Sequence, residues 1–243
     1  MRALSAYDVL RIWEKGQEKH ALDRAMLLLA PAFPELSSGD LRSLSIGQRN
    51  LRLLMLREGT LGPTLKAYVE CPRCGDPLEF EMNARDLRVA ELREGSEERF
   101  QLRSGEYELE FRLLTTADLA SVLGRPGVGA ARRELTRRAL LGVRRDGADV
   151  PNDELPESLI TALAEQLSEC DPQAEVRFNL NCPACDHGWR AGFDIVSFFW
   201  AELAALAERL MDDVHRLARA YGWRETDILA MSAARRHAYL GRL

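Results

Sequence analysis

The stretches CPRCG at residues 71–75 and CPACDHG at residues 182–188 are near-copies of one motif, and they decide how the chain folds. A Cys-Pro-x-Cys turn brings two thiolates and several backbone amides toward one point. A structural zinc ion takes four ligands in a tetrahedron, so a single turn supplies only half of a site. The repeated motif therefore predicts that Cys71 and Cys74 meet Cys182 and Cys185 around one structural zinc ion.

Alternating apolar and polar residues flank both motifs, which is the pattern of half-buried β-strands. The apolar positions are Leu65, Ala67, Val69, Leu78, Phe80 and Met82 around the first motif, and Val176, Phe178, Leu180, Trp189, Ala191, Phe193 and Ile195 around the second. Each motif thus lies at the tip of a hairpin, in residues 64–85 and 174–196. Together the hairpins are predicted to form a two-hairpin zinc ribbon.

Other uses of the cysteines fit the sequence less well. A thioredoxin-like redox pair would need a βαβ setting, which the pattern lacks. Disulfides would need an oxidising compartment, whereas the first residues show no signal peptide and favour the cytoplasm. His187 could compete as a ligand, and Cys170 is expected to be a small buried or half-buried residue.

Helical patterns precede and follow the hairpins. Residues 1–63 form a predicted amino-terminal helical segment, in which Ser5 and Ser45 begin capping-box patterns. Residues 197–243 are predicted to form a long amphipathic helix and a short helical tail, separated by the Tyr-Gly-Trp sequence at 221–223.

Residues 86–173, between the hairpins, are predicted to be a folded insertion. The pattern indicates a strand at 107–114 and helices at about 129–142 and 156–169, with a charged loop between the helices. The fold class is therefore α+β and mostly α-helical, with the insertion forming a lobe beside the ribbon.

Composition excludes several kinds of function. The chain has 243 residues, is 46% hydrophobic and carries a net charge of -5. Bulk binding of nucleic acid usually needs a basic domain, and no apolar run reaches the ~20 residues that span a membrane. No nucleophile elbow, HExxH motif or phosphate-binding loop is present, so we expect neither an enzyme nor a small-molecule substrate.

Aromatic residues mark a candidate partner surface. The SFFW sequence at 197–200 could pack in the core or dock another protein, and the tail could either cap its own domain or bind a partner. The candidate partner-binding side chains are Phe198, Phe199, Trp200, Tyr221, Trp223, Ile228, Leu229 and Tyr239.

Several stretches, taken in order, resemble a family of T-even-like phage baseplate proteins that occurs in contractile-tail phages and related contractile injection systems. They are LRIWEKG, RAMLLLA, LSIGQRNLRLLMLREGTLGPTL, CPRCGDPLEFEM, the second CPAC, and FFWAEL followed by DVHRLARAYGWRETDILAMSAARRHAYL. The ending is also similar to the short helical tails of phage tail-assembly chaperones.

The resemblance implies a non-enzymatic role as a baseplate assembly chaperone or minor baseplate component, with other baseplate or tail proteins as partners. Such a protein would be cytoplasmic in the producing cell or part of the particle. The alternative is a zinc-ribbon adaptor for nucleic acid or transcription. Acidic residues outnumber basic ones in the first hairpin, which favours protein partners: Glu70, Asp76, Glu79 and Glu81 against Lys66 and Arg73.

Overall fold

The structure is a computed structural model that describes residues 1–92, 99–125, 127–151 and 155–243. The helices are α1 (Ala6–Gly16), α2 (Ala21–Leu29), α3 (Ser38–Ser43), α4 (Ile46–Leu61), α5 (Thr116–Ser121), α6 (Val128–Ala139), α7 (Glu157–Cys170), α8 (Ile195–Tyr221), α9 (Glu225–Ala230) and α10 (Ala233–Leu240). The strands are β1 (Thr64–Glu70), β2 (Pro77–Asn83), β3 (Phe100–Ser104), β4 (Tyr107–Phe111), β5 (Leu140–Arg145), β6 (Ala148–Asp149), β7 (Val176–Asn181) and β8 (Gly188–Phe193). The mixed α+β class is confirmed.

Local sequence sets the helix ends as expected. The Ser5 hydroxyl accepts a hydrogen bond from the Asp8 N–H, and the Asp8 carboxylate accepts one from the Ser5 N–H, which completes a capping box. Asp194 caps α8, and Gly222 ends it in the left-handed conformation with φ 68°. Glycine adopts this conformation without a steric penalty, so the long helix can end here. The short helices α9 and α10 follow.

The main core lies where the amino-terminal helices meet α8. Leu54 of α4 and Leu203 and Leu210 of α8 belong to one buried cluster, together with residues of α1 and α2. The two ends of the chain therefore form one helical body. None of the helices in the described ranges has the length and apolarity needed to cross a membrane.

The hairpins pair in the same register. In β1–β2, Glu70 lies opposite Pro77 beside the tip, and in β7–β8 the equivalent Asn181 lies opposite Gly188. Burial alternates along all four strands, with the predicted apolar positions on the more buried face. Ile195 is the exception, because β8 ends at Phe193 and Ile195 begins α8, which Asp194 caps.

The insertion has an antiparallel sheet and a core of its own. Its strand order is β3-β4-β5-β6, and its buried residues are Leu109, Phe111, Leu140, Val143, Leu159 and Leu163. The predicted strand 107–114 ends at Phe111, and the predicted helix 129–142 ends at Ala139. The next residues form β5, which pairs with β4. Strand pairing and burial there outweigh the helical pattern that the preceding residues continue. Part of the predicted charged loop, residues 152–154, lies outside the described residues.

Candidate metal centre

The two hairpin tips make the same turn. The Gly75 N–H donates to the Cys71 carbonyl, and the Asp186 N–H donates to the Cys182 carbonyl, both at 2.9 Å. Gly75 has φ 76° and Asp186 has φ 54°, so the residue after the second cysteine is left-handed in both turns. This conformation turns the backbone back toward its own strand and leaves both sulfurs on one side of the tip.

The tips face each other and bring the four sulfurs together. All four Sγ atoms of Cys71, Cys74, Cys182 and Cys185 lie within 4.8 Å of one another. The contacts between hairpins are 3.8 Å from Cys71 to Cys185 and 3.6 Å from Cys74 to Cys182.

These separations fit a tetrahedral metal site. Metal–sulfur bonds of about 2.3 Å in a tetrahedron place neighbouring sulfurs roughly 3.8 Å apart. A disulfide would need about 2.05 Å, so the cysteines are not paired that way. The four side chains could therefore hold one metal ion, with all four positions of a tetrahedron filled by sulfur.

The thiols differ in burial and in pKa. Cys71 and Cys182 are buried, whereas Cys74 is exposed. Burial raises the pKa of Cys71, but the backbone N–H groups of Cys74 and Arg73 outweigh it and lower this pKa to about 7. The backbone N–H of Asp76 lowers the pKa of Cys74, but contacts with the sulfurs of Cys185, Cys182 and Cys71 contribute to raising it to about 12. Of these two thiols, Cys71 therefore more readily gives the thiolate that a metal binds.

The competing ligand candidate, His187, and the fifth cysteine, Cys170, lie outside the cluster. The His187 ring stacks on Trp189, with ring centres 6.0 Å apart, while its backbone carbonyl accepts the Cys182 N–H. The metal-competent cluster is made of the four cysteines without His187. Cys170 is half-buried at the end of α7, against the core of the insertion.

A chain of aromatic rings joins the hairpins below the sulfurs. Phe80 of the first hairpin meets Phe178 of the second edge to face, with ring centres 6.2 Å apart. Phe178 then contacts Phe193, and Phe193 contacts Phe198 at the start of α8. The rings continue the contact between the tips as far as the helical body.

Helix α4 holds the base of the first hairpin through Arg57, whose side chain is 3% exposed. Its guanidinium donates to the Gly62 carbonyl at 2.7 Å and to the Thr64 carbonyl at 2.8 Å. It also donates to both carboxylate oxygens of Glu202 on α8. One buried cation thus ties α4, the first residues of β1 and α8 together.

The opposite end of α4 holds the segment that leads into the second hairpin. The Gly47 N–H donates to the Asp171 carboxylate at 2.8 Å. The Asn50 amide donates to the carbonyls of Gln173 and Ala174, just before β7. A Cβ atom on Gly47 would lie 1.9 Å from Asp171 Oδ1, so the close approach requires glycine.

The three aromatic residues of SFFW pack against other parts of the chain. Phe199 is fully buried in the main core. Trp200 lies against Gly16, and the Arg24 guanidinium sits 4.3 Å from the centre of its ring. Phe198 packs on the second hairpin. The interior position of Phe199 agrees with core packing, one of the two alternatives for SFFW, and removes it from the candidate partner surface.

The tail folds back onto α8 and α1. Ile228 and Leu229 are buried, so the folded chain does not offer these two side chains to a partner. Tyr221, Trp223 and Tyr239 instead form a partly exposed aromatic cluster, with the Tyr221 and Trp223 rings stacked at 4.5 Å and Tyr239 edge-on to Trp223 at 4.8 Å. The stacked and edge-on rings form a defined surface, which we call the tail aromatic cluster.

Sequence reasoning missed the two anchors of α4. Arg57 and Gly47 carried no motif of catalysis or binding, and their importance depends on partners far along the chain. For Arg57 a signal was available: the helical pattern places this charged residue among apolar ones, which is unusual unless the charge is paired.

The fold and the site define a class: an α+β protein in which two hairpins, held by one helix, present four cysteine sulfurs that could bind a metal. The comparisons refine this class. The family model of the T4 bacteriophage base plate protein matches residues 28–200, which include α4, both hairpins and the insertion. The chain belongs to this family. No curated protein and no solved structure matches the chain.

Proposed function

We propose that the chain is a non-enzymatic, zinc-stabilised assembly chaperone or minor component of the baseplate of a contractile phage tail or a related contractile injection system. The observation that carries the proposal is the family match across the segment that contains all four cysteines. A baseplate protein acts by binding its neighbours, so other baseplate or tail proteins are the expected partners.

The proposed metal is zinc, and the proposed fold around it is a zinc ribbon. Four thiolates in a tetrahedron are typical of structural zinc, whereas a catalytic zinc keeps one position for water or substrate. The ion would hold the two hairpin tips together. A structural role of this kind agrees with a protein that binds partners and has no reaction to perform.

The alternative function, an adaptor for nucleic acid, is less well supported. Glu70, Glu79 and Glu81 are exposed on the outer face of the first hairpin, where they would repel phosphates. Exposed carboxylates are compatible with a protein surface as partner. We place the chain in the cytoplasm of the producing cell, and in the particle if it is a permanent component.

Affinity capture from cells that assemble the particle tests the proposal. A tagged chain should retrieve baseplate proteins, and the purified chain should contain about one zinc ion. Retrieval of nucleic acid or polymerase without particle proteins would overturn the baseplate role. Mass spectrometry of finished particles then separates the two forms of the proposal, because a component stays in the particle and a chaperone is found only in assembly intermediates.

The contribution of the tail aromatic cluster can be tested in the same cells. The Trp223→Ala/Tyr239→Ala variant should retain its fold, since Ile228 and Leu229 anchor the tail, but should retrieve fewer baseplate proteins. Tyr7→Ala, which removes an exposed aromatic side chain from α1, is the matched control. Unchanged retrieval by the folded double variant would show that the cluster only caps its own domain.

A further inference from the structure

A groove of about 670 Å³ lies between α1, α2 and α3, on a surface without a role in the metal centre. Its volume is within the range of binding clefts in proteins. The residues that line it are Asp8, Arg11, Ile12, Lys15, Lys19, Asp23, Met26, Leu27, Ala30, Pro31, Ser38 and Arg42. Ile12 is buried and Met26 and Leu27 are half-buried, and we call these apolar side chains the floor of the groove. We call its charged side chains, most of them exposed, the rims.

The rims carry an excess of positive charge. Arg11, Lys15, Lys19 and Arg42 are all exposed, and none of them forms an ion pair with another described residue. Asp8 does not offset them, because its carboxylate already binds Arg2 and Ser5. Asp23 is the remaining carboxylate on the rims.

This placement of charge is unfavourable for the isolated chain. Arg11 and Lys15 are four residues apart on α1, so their side chains are neighbours on the helix surface, and like charges at this spacing are destabilising. The chain as a whole carries a net charge of -5. The groove is therefore a local positive surface on an acidic protein, which suits an acidic partner.

The floor distinguishes between two kinds of acidic partner, a nucleic acid and an acidic helix of a protein. Ile12, Met26 and Leu27 offer aliphatic side chains and no aromatic platform on which bases could stack. Asp23 would also repel a continuous run of phosphates. An amphipathic helix satisfies both parts of the groove, since its apolar face can lie on the floor while its carboxylates meet the rims.

We propose that this groove docks an acidic amphipathic helix of another protein of the particle. The inference rests on the proposed function, because it gives the chemistry of one of the expected partners. The helix would present leucine-type residues at the i, i+3, i+4 and i+7 positions and glutamate or aspartate beside them.

A synthetic peptide tests this chemistry with the purified full chain. The probe is a fluorescent helical peptide of about 15 residues, with leucine at the apolar positions and glutamate elsewhere. Its counterpart has lysine in place of every glutamate. Fluorescence anisotropy should show binding of the acidic peptide, weaker at higher salt, and at least about tenfold weaker binding of the lysine peptide.

Variants locate the binding. Arg11→Glu/Lys15→Glu should weaken binding of the acidic peptide by about tenfold or more, and Met26→Gln should weaken it with no change in charge. The matched control is Arg209→Glu/Arg216→Glu, which reverses two exposed arginines on α8 outside the groove. Thermal unfolding of each variant checks that the fold persists.

Three results would overturn the inference. They are equal binding of the two peptides, an equal loss in the α8 control, and displacement of the peptide by single-stranded DNA of equal charge at the same concentration. Because the assay uses the purified chain, it is independent of the capture experiment. Peptide binding without capture of baseplate proteins would reject the proposed function and leave the groove chemistry intact, whereas capture without peptide binding would do the reverse.

Discussion

The first hairpin, β1–β2, and the second, β7–β8, follow the same register from strand to tip, yet they are held at opposite ends of α4. Arg57, near the end of the helix, binds the first residues of β1. Gly47 and Asn50, near its start, bind the segment before β7. The two hairpins thus have the same backbone pairing but different supports on α4, in addition to the direct contact between Phe80 and Phe178.

The outer faces of the hairpins also differ. The first exposes Glu79, Glu81 and Tyr68, whereas the second exposes Arg177 and Arg190. The close approach of the four sulfurs requires the tips to match, but it places no demand on the outer faces. The difference indicates that the two hairpins meet different surroundings.

The largest effect is expected when one of the four sulfurs that connect the hairpin tips is removed. Cys182→Ser should abolish stable binding of the metal and the cooperative unfolding transition, because structural zinc contributes on the order of 10 kcal/mol to the folding of such sites. Elemental analysis and thermal unfolding measure both. Cys170→Ser is the control and should leave the metal content unchanged. A metal-free wild type with the same cooperative transition would contradict the prediction.

The next effect concerns the support of the first hairpin. Arg57→Ala should lower the free energy of unfolding by about 3 kcal/mol, because it leaves the partly buried Glu202 and two carbonyls without their donor. Hydrogen exchange should become faster in β1–β2 than in β7–β8. Arg85→Ala, which removes an exposed pair with Glu58, should cost less than about 1 kcal/mol. Equal exchange in both hairpins would show that α4 does not support them separately.

Loss of the support of the second hairpin should also destabilise the chain, but it should affect the other hairpin. Gly47→Ala forces a Cβ atom into Asp171 and should destabilise the chain by roughly 2 kcal/mol, in the range of overpacked interiors. Here exchange should increase before and within β7–β8 rather than in β1–β2. Gly39→Ala, where the added atom meets little, is the control for glycine replacement in a helix. A uniform increase across both hairpins would argue against a local role of Gly47.

The smallest effect compares the tips. Gly75→Ala places a side chain at φ 76° and should destabilise by about 1 kcal/mol, whereas Asp186→Gly relieves a left-handed residue and should change stability by less. Denaturant unfolding with bound metal measures both variants. Equal losses in the two variants would mean that the tips are not equivalent in backbone energy.

The sequence predicted the parts of the molecule that depend on local spacing. The period-two pattern gave both hairpins and their inner faces, and the repeated cysteine motif gave the cluster of four sulfurs. Helix caps such as Ser5 and Ser45 were also predictable, because a cap depends on a side chain and an amide a few residues away.

The remaining parts depend on distant partners. Residues 140–142 continue a helical pattern but pair with β4, and their strand form is decided by that neighbour. The burial of Ile228 and the support given by Arg57 likewise arise from contacts that no local pattern contains. The burial of Phe199, Ile228 and Leu229 could therefore not be read from the sequence, since an apolar residue looks the same in sequence whether it is exposed or buried.

The position of the second tip has a consequence for synthesis on the ribosome. The amino-terminal helices and the first hairpin emerge with only two of the four sulfurs, and Phe199, which completes their core, follows Cys185. Domains fold as their residues become available, and contacts between distant residues form slowly. The nascent chain must therefore keep the leucines of α4 soluble until α8 arrives. A metal held by all four sulfurs could bind only after the second hairpin is in place.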